Sequence, residues 1–358
     1  MKNKKKIAIV GAGFFGCTLS LILSKRFNVD LYERKPNILN EASMCNQLRF
    51  HEGFHYPRSL KTINEIKKSN SQFVKFYGND IFGTTKNFYA ISKKKSKINF
   101  ENYIKFLKKH KLNFRIKKNI KLISDKIEGV IETNEKNLNY FKFKKKILLK
   151  LKKSNVNLKL SSQLDKNILR YKNYDHIVVA AYKNNNNILN NLGFKVSDKY
   201  RYELVEKIAV KLPQKYKNIS FVVLDGDFVC IDPYIGTKLH LISHVKYSKI
   251  KIINSYYPKF ASKYDKFLIK IKNTNIKKSK FNLFIKYGLK YLPYISKAKY
   301  KFSYFVVRTI KYKVEKTSER VNLVKNFNNN VTTIMSGKWN TCVTESFKIE
   351  KYLLNKFK

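Results

Sequence analysis

Glycine and proline are scarce. The 358-residue chain holds 12 glycines and 6 prolines, well below the usual ~7% and ~5%. Cysteine is rarer still: Cys17, Cys45, Cys230 and Cys342. No two of them form C-x-x-C, which excludes a zinc ribbon and a dithiol redox motif and leaves reduced, buried thiols in a cytoplasmic protein as the expectation. No apolar run approaches the ~18 residues of a membrane span. The first such run, Ile7 to Val10, passes directly into a glycine-rich turn, so no signal peptide is read there. Acids number 24 against 76 Lys+Arg, for a net charge of +52.

That charge is almost all lysine, since only nine of the 76 are arginine. It is spread along the chain, as in Lys4 to Lys6, Lys93 to Lys95, Lys144 to Lys146 and Lys277-Lys278, with asparagine runs at 184–187 and 328–330. A genome rich in AT codons gives this profile without any partner, and dispersed charge is a weaker nucleic-acid footprint than a stripe. With 43% hydrophobic and 14% aromatic residues the chain can bury a core, which excludes wholesale disorder. Against this background the scarce residues are informative. Seven of the 12 glycines (11, 13, 16, 53, 226, 236 and 337) fall in the segments singled out below, with Arg49, Arg58, Arg308 and Arg320.

The opening 33 residues read as strand, glycine turn, helix and strand: Ile7 to Val10, then Gly11-Ala12-Gly13-Phe14-Phe15-Gly16, then Cys17 to Arg26, then Val29 to Glu33. In G-x-G-x-x-G the first glycine permits the tight turn, the second admits a pyrophosphate to the backbone, and the third lets helix and strand pack closely. The helix start offers free N–H groups to phosphate. Glu33 ends the second strand where an acid accepts ribose hydroxyls, which favours FAD or NAD over NADP. Further strands are expected at Asn87 to Ser92, Ile127 to Thr133, Val156 to Leu160, Tyr174 to Ala181, Val205 to Leu212, Ser220 to Leu224, Phe228 to Asp232, Lys238 to Tyr247, Phe302 to Val307 and Val331 to Met335. Helices are expected at Ser59 to Tyr77, Phe141 to Lys153 and through the lysine-rich stretch Ile250 to Tyr291, with a closing helix at the C-terminus. Because α/β segments recur at the start, middle and end, the cofactor unit is expected to be discontinuous.

Three stretches resemble the FAD-dependent oxidoreductases of the D-amino acid oxidase and glycine oxidase superfamily, nearest the branch of L-2-hydroxyglutarate dehydrogenase. Residues 42–59, with His51-x-Gly53-x-x-Tyr56 and Pro57-x-Ser59, are similar to the segment after the second strand. Tyr174 to Ala181 is similar to the strand beside the adenosine half of the flavin. Met335-Ser336-Gly337-Lys338-Trp339-Asn340-Thr341-Cys342 is similar to the C-terminal turn that closes over the flavin. The resemblance implies an α/β, overall α+β, fold: a Rossmann-type FAD-binding domain (1–75, 138–185 and 315–358) and an inserted mixed-sheet substrate domain (76–137 and 186–314). It favours FAD over NAD and implies a cofactor site of Gly11, Gly13, Phe14, Phe15, Gly16, Glu33, Arg34, Asn46, Arg49, Ala180, Ala181, Gly337, Lys338, Trp339, Asn340 and Thr341.

The chemistry so implied is oxidation of a C–H beside O or N in a small polar, anionic substrate, with hydride passing to the flavin N5. Arg308 is the first candidate to hold an anionic group through its planar fork, with Arg58 and Arg49 behind it. His51 is a candidate base, or by resemblance a covalent flavin anchor, and Tyr56 a candidate pocket residue. Lys338 is a candidate to stabilise charge on the reduced ring. His55-Tyr56-Pro57-Arg58 is more aromatic and basic than in amino acid oxidases, which tells against a simple amino acid substrate. No metal is expected: His240 and His244 on one strand face would lie ~13 Å apart. The electron acceptor, O2 or a carrier, is left open. Two alternatives stand beside this reading: a flavoenzyme directed to tRNA or another nucleic acid, and a flavin-dependent nucleotide-sugar mutase.

Overall fold

The structure is a computed structural model that describes residues 4–164, 173–269, 271–313 and 319–358. The expected domain boundary at 314/315 lies outside the described residues.

The first strand, Lys6–Val10, is flat and apolar, with Ile7, Ala8 and Ile9 fully buried. Such a run suits a parallel sheet covered on both faces. It pairs in parallel with Asn28–Tyr32 on one side and His176–Val179 on the other. Val156–Lys159 extends the sheet beyond Asn28–Tyr32. Val331–Met335 and its antiparallel partner Leu323–Phe327 extend it beyond His176–Val179, completing six strands. The chain leaves the first strand toward one edge and later returns on its other side. The carboxyl end of that strand is therefore a topological switch point, the place where open α/β sheets form a crevice. The helices Phe14–Leu23, Tyr140–Lys152 and Cys342–Lys356 share one core cluster against this sheet. Helix Asn185–Asn191, just past the expected boundary at 185, packs Leu189 with Val10 and Val179 on the other face.

A second, ten-stranded mixed sheet is built around Tyr200–Lys211 and Lys299–Lys311, paired antiparallel over their length. It includes Lys86–Ser92, Ile127–Thr133 and Ile219–Leu224, close to their expected bounds. A small third sheet joins Arg49–Phe50 and Phe82–Gly83 to Lys136–Leu138. It anchors the segment that carries His51.

One expectation fails. Residues 250–291 are not mainly helical. They form the strand Lys249–Ser255, a short helix Asp265–Leu268, a two-residue strand Lys272–Asn273 and the helix Phe281–Gly288. The Ile-Lys-Ile-Ile pattern at 250–253 is β-branched, and Pro258 denies a helix its backbone donor. Pairing with Tyr200–Val205 decides the outcome. The helix Phe100–Lys109 was not anticipated; Asn99 caps it by accepting from the Asn102 amide at 2.9 Å.

Candidate active site

The glycine turn sits at the switch point. Gly11 has φ +101°, a region where only glycine is unstrained, and a Cβ there would stand 2.8 Å from the Ala180 carbonyl oxygen. Its amide donates to Tyr32 O at 2.8 Å, and Ala180 donates to Val10 O at 2.9 Å, so three strand ends converge. The following helix begins at Phe14 with glycine as its N-cap, and no side chain covers its first N–H groups.

A groove of about 400 Å³ opens here. Gly11, Gly13, Glu33, Arg34, Ala180 and Ala181 line it, together with Ser43 and Lys183. Glu33 reaches in, its two carboxylate oxygens accepting from the amides of Ala12 and Lys35, each at 2.9 Å. Arg34 and Lys183, which also line the groove, both pair with Glu41, at 2.6 and 2.7 Å. Burial works against ionisation of Glu41, but the two cations override it and hold its pKa below the ordinary value. Phe14, Phe15 and Gly16 are buried beneath the turn. Asn46 supports the rim, donating to Ala42 O and Ser43 O and accepting from Leu48 N.

The C-terminal turn packs beside the opening helix rather than lining the groove. Gly337 lies so close to the incoming chain that a Cβ would stand 2.2 Å from Arg320 O. Its amide donates to Asn322 Oδ1 at 2.8 Å, and Thr341 bonds Asn322 in turn. Trp339 stacks on Phe14 with ring centroids 5.2 Å apart and tilts against Phe50. Asn340 holds Asn70 at 2.7 Å, and both point amide donors at His51 O. The closing turn, the helix Leu60–Tyr77 and the His51 segment are thus tied together.

Three of the expected residues meet here. Lys338 places its ammonium 4.4 Å over the Tyr56 ring, and His51 packs edge-on to the same ring at 5.4 Å. His55, absent from the expected set, joins them 5.3 Å from His51. Burial pushes the Lys338 ammonium down to about 7. Burial, then Lys338 and the other cations, hold His51 and His55 neutral, His55 down to about 3.

Arg49 and Arg58 have protein partners. Arg49 is buried, bonded to Asp232 at 2.6 Å and to Ser220, 3.6 Å from Glu135, and over the Tyr89 ring. Arg58 forks onto Asp225, with Nε at 2.9 and 3.0 Å from its oxygens. Arg308 also forks onto an acid, Glu203 on the adjacent strand, yet 46% of its side chain is exposed. Burial would lower its pKa, but Glu203 raises it. Arg320 stands near enough that burial and then Arg308 press its pKa down to about 10, and its own charge reaches His55. Glu203 is shared: Arg201 Nε bonds its other oxygen at 2.8 Å, so Arg201 and Arg308 hold one carboxylate with Arg320 nearby.

Sequence reasoning did not find Glu135, Asp232, Lys207 or Gln47. Gln47 donates to Asp232 at 2.9 Å and accepts from Lys207 at 2.6 Å, and burial lowers Lys207 to about 8. The available signal was scarcity: in a chain with 24 acids, the ones that fold inward stand out. His240 and His244 are bonded within their own surroundings, to Tyr216 O and to the Lys246 amide.

No family model matches the chain. The FAD-dependent monooxygenase FPY4 of Fusarium mangiferae is 32% identical over 102 residues, 28% of this chain and 28% of that protein. The FAD-dependent monooxygenase kojA of Aspergillus flavus is 38% identical over 73 residues, 20% of this chain and 17% of that protein. The matched stretches thus span well under a third of those relatives. Among solved structures, glycine oxidase from Geobacillus kaustophilus superposes with TM-score 0.69 at 12% identity, covering 96% of this chain and 94% of that one. L-proline dehydrogenase from P. horikoshii gives 0.70 at 10% identity, with coverage 99% and 94%. L-alpha-glycerophosphate oxidase from Mycoplasma pneumoniae, solved with FAD bound, gives 0.67 at 14% identity, with coverage 99% and 95%. The chain shares the α/β fold of these three structures, with its Rossmann-type parallel sheet. Among the described residues no helix is long and apolar enough to cross a membrane.

Proposed function

We propose that this chain is an FAD-dependent oxidoreductase acting on a small, polar, anionic substrate. The observation that carries the reading is the groove at the switch point, floored by Gly11 and Gly13 and ended by the inward carboxylate of Glu33. It fits a dinucleotide: close backbone approach for the phosphates, a helix start for their charge, an acid for the ribose. Ala180 and Ala181 would flank the adenosine half, while Lys338, Trp339, Asn340 and Thr341 would cover the flavin ring. Asn340 Oδ1 is buried without a partner, as expected of an atom kept for a ligand. The cofactor unit would comprise 1–75, 138–185 and 315–358, with the ten-stranded sheet supplying the substrate side.

When bound, FAD supplies a hydride acceptor at N5. The chain's own residues do the rest. Arg308, accessible at the edge of the second sheet, would hold the anionic group, with Arg320 adding charge nearby. Neutral His51 would accept the proton released from a hydroxyl or ammonium. Tyr56 would wall the pocket, and Lys338 would balance negative charge on the reduced ring.

The test is direct. Purified protein should be yellow or take up added FAD stoichiometrically. Small hydroxy acids, amino acids and phosphate esters screened under anaerobic conditions should include one that bleaches the flavin band near ~450 nm. Protein that stays colourless with excess FAD would overturn the proposal.

A further inference from the structure

Among the buried side chains that the proposed chemistry does not use, Glu135 has the most consequential position. It follows the strand Ile127–Thr133 and its side chain is fully buried. Oε1 accepts from the Glu52 amide at 2.7 Å, and Oε2 accepts from the Tyr89 hydroxyl and lies 3.6 Å from Arg49 Nη1. Every one of these neighbours presents a proton to the carboxylate. The Glu52 carboxylate acts on it with like charge, and His51 Nδ1 lies 3.9 Å from Oε1.

The two nitrogens of His51 stand in different surroundings. Nδ1 is buried without a hydrogen-bond partner, and this carboxylate stands 3.9 Å from it, near enough for electrostatic contact but beyond hydrogen-bond reach. Nε2 forms no hydrogen bond among the described residues, and 13% of the side chain remains accessible. Lys338, His55, Arg49, Lys207 and Tyr56 also face the ring. All of the charged groups among them are cationic when protonated, and burial first, then these cations, keep the imidazole neutral with a single N–H. A bare Nδ1 would set its lone pair against an acceptor-only carboxylate in a buried place, a costly arrangement. A protonated Nδ1 instead turns a positive N–H toward Glu135 across 3.9 Å.

We propose that Glu135 is a positioning residue that fixes His51 as its Nδ1–H tautomer and so leaves the Nε2 lone pair as the proton acceptor at the site. Arg49 completes the device by anchoring Glu135 on one side and Asp232 on the other, so the carboxylate keeps its place without access to water. Burial raises the Glu135 pKa to about 7 against the opposing pull of Arg49. The carboxylate form, and with it the tautomer, is therefore complete on the alkaline side of neutrality. The catalytic meaning of this arrangement rests on the flavoenzyme reading above; the tautomer itself does not.

The experiment uses full-length protein labelled with 15N-histidine at pH 8, before and after FAD addition, with flavin content recorded separately. The six histidines are resolved through their two-bond nitrogen–carbon-proton correlations, and the His51 pattern is assigned with His51→Asn. The expected native pattern is protonated Nδ1 with bare Nε2, the reverse of the tautomer that free imidazole side chains prefer. Glu135→Gln should shift His51 toward the Nε2–H form. Where that variant fails to fold, Glu135→Asp draws the carboxylate back by one methylene and should give a mixed pattern. Once a substrate is in hand, kcat/KM in Glu135→Gln should fall on the order of 10²-fold with KM little changed. A native His51 in the Nε2–H form, or an Nδ1–H pattern unaltered in a folded Glu135 variant, would overturn the proposal. A colourless protein with the expected pattern would sink the flavin reading and leave this one standing.

Discussion

A Cβ placed on Gly16 would stand 1.7 Å from the carbonyl oxygen of Gly11. The two glycines thus interlock the first strand's end with the helix that follows, whatever the groove above them binds. Gly13 differs. Its φ is −79°, open to any residue, and a Cβ would meet only Ser43 Oγ, at 3.2 Å. The three glycines therefore separate into two that the fold requires and one that it leaves free to vary.

This separation makes the first prediction. Gly16→Ala should destabilise the protein by about 3 kcal/mol, because backbone must move to admit the methyl. Gly13→Ala should leave the melting temperature of flavin-free protein nearly unchanged while weakening FAD binding at least about tenfold, or ~1.4 kcal/mol. Thermal melts with and without FAD read both effects. Equal loss of stability in the two variants would refute the division of roles.

Glu33 gives the second prediction. Its oxygens accept from Ala12 and Lys35 and face the groove. Glu33→Gln keeps the size but replaces one acceptor by a donor, and a hydrogen bond to a charged group contributes ~1.5–3 kcal/mol. FAD affinity should fall roughly 10- to 100-fold by titration of flavin fluorescence. Unchanged affinity would remove Glu33 from the ribose site.

Arg49 offers a third, and it separates two roles. The side chain is 1% exposed and stands between Asp232 and Glu135. Arg49→Met leaves two buried carboxylates without their cation and should cost about 3–5 kcal/mol. Adding Glu135→Gln and Asp232→Asn to the same chain should recover part of that loss. If Arg49 instead serves the cofactor directly, the single variant will keep its stability and lose flavin, which chemical denaturation and absorbance distinguish.

How far the sequence revealed this architecture depended on the range of the forces involved. The glycine turn and Glu33 were legible because their spacing is a local property of strand, turn and helix. The strands Ile127–Thr133 and Val331–Met335 were legible to the residue, since both are dense in β-branched or apolar side chains. The strand Lys249–Ser255 was not: its alternation was submerged in lysine, and only pairing with Tyr200–Val205 selects it. In the site, resemblance placed His51, Tyr56 and Lys338 in segments that do meet. Glu135 and Asp232 were hidden because a buried acid is defined by its partners, here Arg49, Tyr89 and Gln47, which lie 46 to 185 residues away from one or the other. No pattern along the chain encodes such a pairing.

Lys338 gives the last prediction, through the pH dependence of stability. Burial lowers its pKa from 10.5 to about 7. Above about pH 7 the folded protein has released this proton while the unfolded chain still holds it. Stability therefore rises with pH on this residue's account from about 7 until the unfolded lysine also deprotonates near its ordinary value. Lys207, lowered to about 8, contributes with the same sign. Buried tyrosines and cysteines with raised pKa values, Tyr77 and Cys342 among them, act in the opposite sense over the alkaline range. The total curve is thus a sum, and the difference between two proteins isolates one member. Lys338→Met should raise the melting temperature most at pH 6 to 7, with the gain shrinking steadily toward pH 10. Should the two melting curves run parallel across that range, Lys338 ionises in the fold as an ordinary surface lysine does, and burial does not set its pKa.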